Sequence, residues 1–132
     1  MKTYAFRLKT GQDLRIEIEE FVKKKRIKAG VVLTCVGNLK KVIIRVAETD
    51  AIKTLTGSFS IVSLVGTVES GDDHLHISFA DNKGKVFGGH LKQGTIVGKT
   101  AEIVIGELEN VLFKRKENKK TGYHDLVIKK LI

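Results

Sequence analysis

The sequence predicts an α/β protein of the α+β kind, a single domain over residues 1–132 in which one principal helix packs on a β-sheet. One segment, between Gly11 and Lys28, repeats its apolar residues at helical spacing. Most of the remainder alternates, or runs apolar, in lengths suited to strands. The chain has 13 glycines and no proline, which favours unbroken strands joined by glycine turns over linkers. At 132 residues it is long enough for one core without disulfide staples.

Tyr4-Ala5-Phe6-Arg7-Leu8 alternates and reads as the first strand. The helix follows, from Gly11 to Lys28. Asp13 is its candidate N-cap, and Leu14, Ile18, Phe21 and Val22 fall on one face. Glu17, Glu19 and Glu20 lie early and Lys23, Lys24, Lys25, Arg26 and Lys28 late, as the helix dipole prefers, with Gly30 as the terminator. Val31–Val36 is apolar at both parities, as in a strand covered on both faces. Gly37-Asn38 breaks it, and Val42–Ala47 forms another strand with Arg45 among aliphatics. Ile61–Val68 is again doubly apolar, and one helix covers only one face of a sheet, so a partner subunit is expected over the other. Ile96–Leu108, Val111–Arg115 and Tyr123–Leu131 complete the strands.

The segment His74-Leu75-His76-Ile77-Ser78-Phe79 alternates strictly, so its two histidines face one side and its apolar residues the other. A three-residue loop, Asn82 to Gly84, with Gly84 in the left-handed position, would pair Ser78 with Gly88 and His76 with His90. Cross-strand neighbours lie about 4.5–5.5 Å apart at Cβ, so one metal ion could reach His74, His76 and His90. Gly88 and Gly89 leave room beside them. A slip of one residue would send His90 to the opposite face.

Charge is unevenly distributed. Of the net +9, residues 1–56 contribute 13 Lys+Arg against 6 Asp+Glu and residues 106–132 contribute 7 against 4, whereas 57–105 holds 4 against 5. The basic excess therefore lies outside the histidine segment, and polyanions are plausible partners. Lys23, Lys24, Lys25 and Arg26, with Lys114, Arg115 and Lys116, are the candidate nucleic-acid contacts, and solvated lysines that maintain solubility are the alternative. Arg45 is either a snorkelling strand residue or a grip for a ligand's anionic group. The apolar runs are too short for a membrane span and no cleavable leader opens the chain. The single cysteine, Cys35, fits a reducing cytoplasm.

Taken together, AGVVLTCVGNL, GSFSIVSLVGT, HLHISFADNKGKVFGGHL, TAEIVIGELE and the terminal TGYHDL resemble the plants-and-prokaryotes conserved (PPC) domain over essentially the whole chain. That resemblance implies a mainly antiparallel sheet, one principal helix and a homotrimer. It also implies a DNA-associated role, because the plant domain follows AT-hook segments and serves for assembly and nuclear protein contacts. This chain has no such hook, and Ser58 and Ser60 replace two charged residues of the plant pattern, so partner contacts through those residues do not carry over. Some prokaryotic members resembling this chain hold zinc through the histidines that correspond to His74, His76 and His90.

Three neutral imidazoles with an open fourth position form the ligand set of a catalytic-type zinc, with Asp72, Asp73 or Asp81 available to orient a ring. No nucleophile elbow, HExxH or placed carboxylate base names a reaction. His124 reads as surface. The expectation is thus a trimeric, DNA-associated cytoplasmic module that contacts double-stranded DNA with weak sequence preference, with zinc at three histidines. A zinc-dependent enzyme or small-anion sensor using Arg45 is the alternative.

Overall fold

The structure, a computed structural model, describes residues 1–131. Tyr4, Phe6 and Leu8 alternate along β1 (Lys2–Lys9) and face the helix α1 (Leu14–Lys24), where the Phe6 and Phe21 rings stack at 3.9 Å. Asp13 caps α1 as expected, accepting from the Ile16 amide at 3.0 Å through one oxygen and from the Gly94 amide at 2.6 Å through the other. One side chain therefore both starts the helix and ties it to a distant turn. Leu14, Ile18 and Val22 are buried, and Phe21 packs at the edge of the core.

The helix stops at Lys24, earlier than the sequence implies. Ile27 is fully buried beside that last turn, and its amide donates to Val22 O while the Arg26 amide donates to Lys23 O, both at 3.1 Å. This pair of bonds closes the helix before Gly30 is reached. Arg26 takes the left-handed position, with φ of 54°. Gly30 instead opens β2 (Gly30–Arg45), where a Cβ would sit 2.8 Å from Val68 Cγ2.

β2 joins what the sequence divides into two strands. At Gly37-Asn38 the ladder is irregular but continuous, because Asn38 Oδ1 accepts from the Lys99 and Thr100 amides at 2.6 and 3.2 Å in place of main-chain partners. The remaining strands are β3 (Ile52–Glu69), β4 (Asp72–Ala80), β5 (Val86–Leu91), β6 (Ile96–Glu107), β7 (Val111–Glu117) and β8 (His124–Lys130). Six form one antiparallel sheet in the order β1-β6-β2-β3-β4-β5, and β7 pairs with β8 alone.

Length lets β2 serve two neighbours besides β3. Its first part pairs with β6, while Ile44 and Arg45 at its end pair with Leu91 and His90 of β5, so the sheet curls until β5 meets β2. Gly89 permits that approach, since a Cβ there would lie 2.7 Å from Arg45 O. The inner surface and α1 enclose one core that includes Leu39, Val42, Phe59, Leu64, Phe79, Val97 and Ile105. The outer surface keeps Leu33, Val36, Val62 and Val65 exposed, the last three each by more than half. The doubly apolar β3 thus leaves the Val62 and Val65 part of its outer side uncovered by the described residues. No described helix is long and apolar enough to cross a membrane.

Candidate metal centre

The turn between β4 and β5 has the geometry its sequence implies. Asp81 N donates to Lys85 O at 2.9 Å, Gly84 N donates to Asp81 O at 3.0 Å, and Gly84 sits at φ of 82°. Asp81 Oδ1 also accepts from the Lys83 and Lys85 amides, both at 2.9 Å, which fixes the loop. From there the register runs Ala80 with Val86, Ser78 with Gly88 and His76 with His90. On the other side of β4, Thr67 pairs with His74 and Val65 with His76. Leu75, Ile77 and Phe79 point into the core, so the imidazoles share the outer face.

The rings meet closely. Centroids of His76 and His90 lie 4.4 Å apart, those of His74 and His76 4.9 Å, and those of His74 and His90 5.7 Å. One ring nitrogen from each falls within 4.8 Å of the others, so the group can hold a metal ion. Burial lowers the pKa of His90 to about 4, helped by the Arg45 guanidinium, the other two imidazoles and Lys92. Burial lowers that of His74 as well, with His76 and Arg115 adding to it against the pull of Asp73. At neutral pH both rings therefore carry a free lone pair, the form that binds metal.

The histidines stand in a cavity of about 740 Å³. Arg45 lines it. It neighbours His90 across the ladder, donates through Nη1 to Thr49 O at 2.9 Å, and faces the Tyr123 ring at 5.9 Å. Among the carboxylates considered as orienting groups, Asp73 is held by Arg15 Nη2 at 3.1 Å, Asp72 holds the Asp73 amide at 2.7 Å, and Asp81 lies in the hairpin turn. Among the described residues no histidine ring donates to a carboxylate.

The basic candidates separate. Lys23, Lys24, Lys25, Arg26, Lys114 and Lys116 are exposed. Arg115 is not part of that surface: its side chain is 8% exposed. Its Nε and Nη2 donate to the two Glu69 oxygens and Nη2 donates also to Thr67 Oγ1, each at 2.9 Å. β-strand alternation explains the split, since Lys114 and Lys116 flank Arg115 and face the other way.

The sequence reading missed several cavity residues. Arg15, Lys92 and Arg115 line it, and the β7–β8 hairpin brings Tyr123, His124, Asp125 and Leu126 to its wall. His124, read as surface, is exposed yet stands at this rim. The available signal was the Tyr-His-Asp run within the terminal TGYHDL block, which periodicity alone cannot aim at a site fifty residues earlier.

Comparison with known proteins adds three likenesses. The chain is 36% identical over 131 residues to the bifunctional protein GlmU of Synechococcus, with 99% of this chain aligned but only 21% of that protein, so it spans about a fifth of that relative's length. It matches the structure of a hypothetical protein from Salmonella at 37% identity and a TM-score of 0.95, covering 99% of this chain and 95% of that one. It matches a metal-containing protein from Archaeoglobus fulgidus at 27% identity and a TM-score of 0.84, covering 96% and 94%. The family model of the Plants and Prokaryotes Conserved (PCC) domain aligns with residues 1–109, which include every strand of the main sheet and all three clustered histidines. The chain therefore belongs to the Plants and Prokaryotes Conserved domain family.

Proposed function

We propose that the protein is a homotrimeric binding module, with residues 1–132 as its domain, whose His74, His76 and His90 hold zinc with one coordination position open to the cavity. The observation that carries this is the gathering of three ring nitrogens within 4.8 Å at the cavity wall. Tetrahedral zinc needs nitrogens about 3.3 Å apart at Zn–N distances of about 2.0–2.1 Å, a closure that modest ring rotations supply on an exposed face. Imidazole donors suit zinc, and His₃ leaves room for one further ligand. The likeness to a metal-containing archaeal protein supports the same reading.

Metal analysis of protein purified without a histidine tag tests it. About one zinc per chain is expected, and His76→Ala with His90→Ala should abolish it while leaving the trimer's size on a sizing column unchanged. Absence of metal after growth with added zinc would remove the proposal.

The exposed lysines favour a second property, weak contact with DNA. Lys23, Lys24, Lys25 and Arg26 form one exposed run, Lys114 and Lys116 a second, and a trimer would present each three times. Such contact is sequence-tolerant and falls steeply between about 50 and 200 mM salt. Retention of a duplex at low salt that vanishes in that window is the expected result, and no retention at low salt would exclude it. A reducing cytoplasm suits the chain, whose Cys35 thiol is buried, which pushes its pKa up to about 12 and leaves it inert.

A further inference from the structure

The four cations lining the cavity fall into two pairs of different status. Arg15 is engaged by Asp73 and Glu19, and Arg115 by Glu69 and Thr67. Arg45 and Lys92 form no ion pair among the described residues. Arg45 spends one of its five N–H donors on Thr49 O, which leaves the remainder of the fork for another acceptor. Both flank His90: Arg45 is its partner across the ladder, and Lys92 lies two residues along the chain on the same face.

Acids also line the cavity, but those whose bonds are seen are already engaged, Asp73 by Arg15. Asp72 holds the Asp73 amide, Asp125 accepts from Asn118 Nδ2 at 3.0 Å, and Glu48 is exposed in the turn after β2. The lining charges of Arg15, Arg45, Lys92 and Arg115 balance those of Glu48, Asp72, Asp73 and Asp125. A divalent ion on the histidines would tip that balance to positive on the wall where the two free cations stand. Beyond them the wall turns apolar, with Leu126 and the face of Tyr123. A bare oxyanion would leave most of the 740 Å³ unfilled.

We infer that the cavity takes a small organic anion whose carboxylate or phosphate head reaches the metal's open position and is gripped by Arg45 and Lys92, while its body lies against Tyr123 and Leu126 of the β7–β8 hairpin. This rests on the metal reading above. Arg45 supplies a planar fork suited to two oxygens at once, and Lys92 a point charge beside it. The hairpin lies beyond residues 1–109, the part that the family model matches and that holds the three histidines.

Cobalt(II) in place of zinc gives a visible spectrum that reports on the fourth coordination position. The probes are benzoate, phenyl phosphate and neutral benzamide, titrated into the cobalt protein and followed by absorbance and by calorimetry. Benzoate or phenyl phosphate should shift the spectrum saturably and benzamide should not, and the stronger of the two identifies the preferred head. Arg45→Met should raise the dissociation constant at least about tenfold, the scale of one charge-assisted hydrogen-bonding partner, with cobalt still bound at one per chain. Tyr123→Ala should weaken benzoate or phenyl phosphate but leave inorganic phosphate unaffected. Failure to bind cobalt would overturn the metal reading itself. Cobalt bound normally with no response to either anion, an equal response to benzamide, or unchanged affinity in Arg45→Met would overturn this inference and leave the metal centre standing.

Discussion

Arg26 occupies a backbone position that helix ends usually give to glycine. Its φ of 54° places the Cβ against the following carbonyl, a cost of about 1–2 kcal/mol for an ordinary residue. Its side chain is exposed and makes no hydrogen bond or ion pair among the described residues, so nothing visible compensates. Arg26→Gly should therefore raise stability by about 0.5–1 kcal/mol, read as a higher midpoint in urea, with the metal site unaffected. At His90 the sign is reversed. Its folded pKa of about 4 lies below the 6.5 of an ordinary histidine, so between those values the unfolded chain binds more protons than the folded one. Metal-free protein should then be most stable above about pH 6.5 and lose stability as pH falls toward 4. His74, shifted the same way, adds to the effect. Thermal melts from pH 7.5 to 4.5 check this, and His90→Asn should flatten the slope. Residues with local rules were legible in the sequence: Asp13 as a cap, Gly84 as a turn, and the three histidines by parity. Arg26 was not, because its strained position follows from Ile27 docking in the core.

Among the elements, the β4–β5 hairpin was the most readable, since turn chemistry fixes register and register fixes the face. β2 was misread as two strands because Gly37-Asn38 looks like a break, whereas Asn38 supplies an acceptor to the neighbouring strand. The β7–β8 hairpin was found as strands but not placed. What places it is tertiary: Phe113 is buried, its amide donates to Lys28 O at 3.1 Å, and Arg115 reaches Glu69. The Arg115–Glu69 pair is nearly dry, with side chains 8% and 7% exposed. Removing one partner strands the other's charge, at a typical cost of about 3–5 kcal/mol. Arg115→Met should cost that much, and Glu69→Gln added to it should return part of the loss, which denaturant midpoints of the single and double variants will show. Equal losses in Arg115→Met with and without Glu69→Gln would mean that packing, not the stranded charge, sets the cost.

For the whole molecule, the unfinished surface is the outer face of the sheet. Val36, Val62 and Val65 are each more than half exposed on one chain, in a fold whose opposite face already encloses a complete core. Apolar side chains from adjacent strands on one face form the kind of patch that marks association, and this patch reaches the metal site because Val65 pairs with His76. The sequence reads β3 as apolar on both faces, and because one helix covers only one of them a partner subunit is the expected second cover. In a closed ring of three chains the same face is buried three times. Val62→Asp and Val36→Asp avoid the strand position beside His76 and, being exposed in the single chain, should leave the fold intact. If each buried aspartate costs about 2 kcal/mol, the cost for one substitution is about 6 kcal/mol per trimer, roughly four orders of magnitude in the assembly constant. Light scattering at micromolar concentration should then report single chains for either variant and trimers for the parent, with the same circular dichroism. Because the histidines come from one chain, the monomeric variants should still bind metal at one per chain, and loss of metal on dissociation would show that a neighbouring copy completes the site.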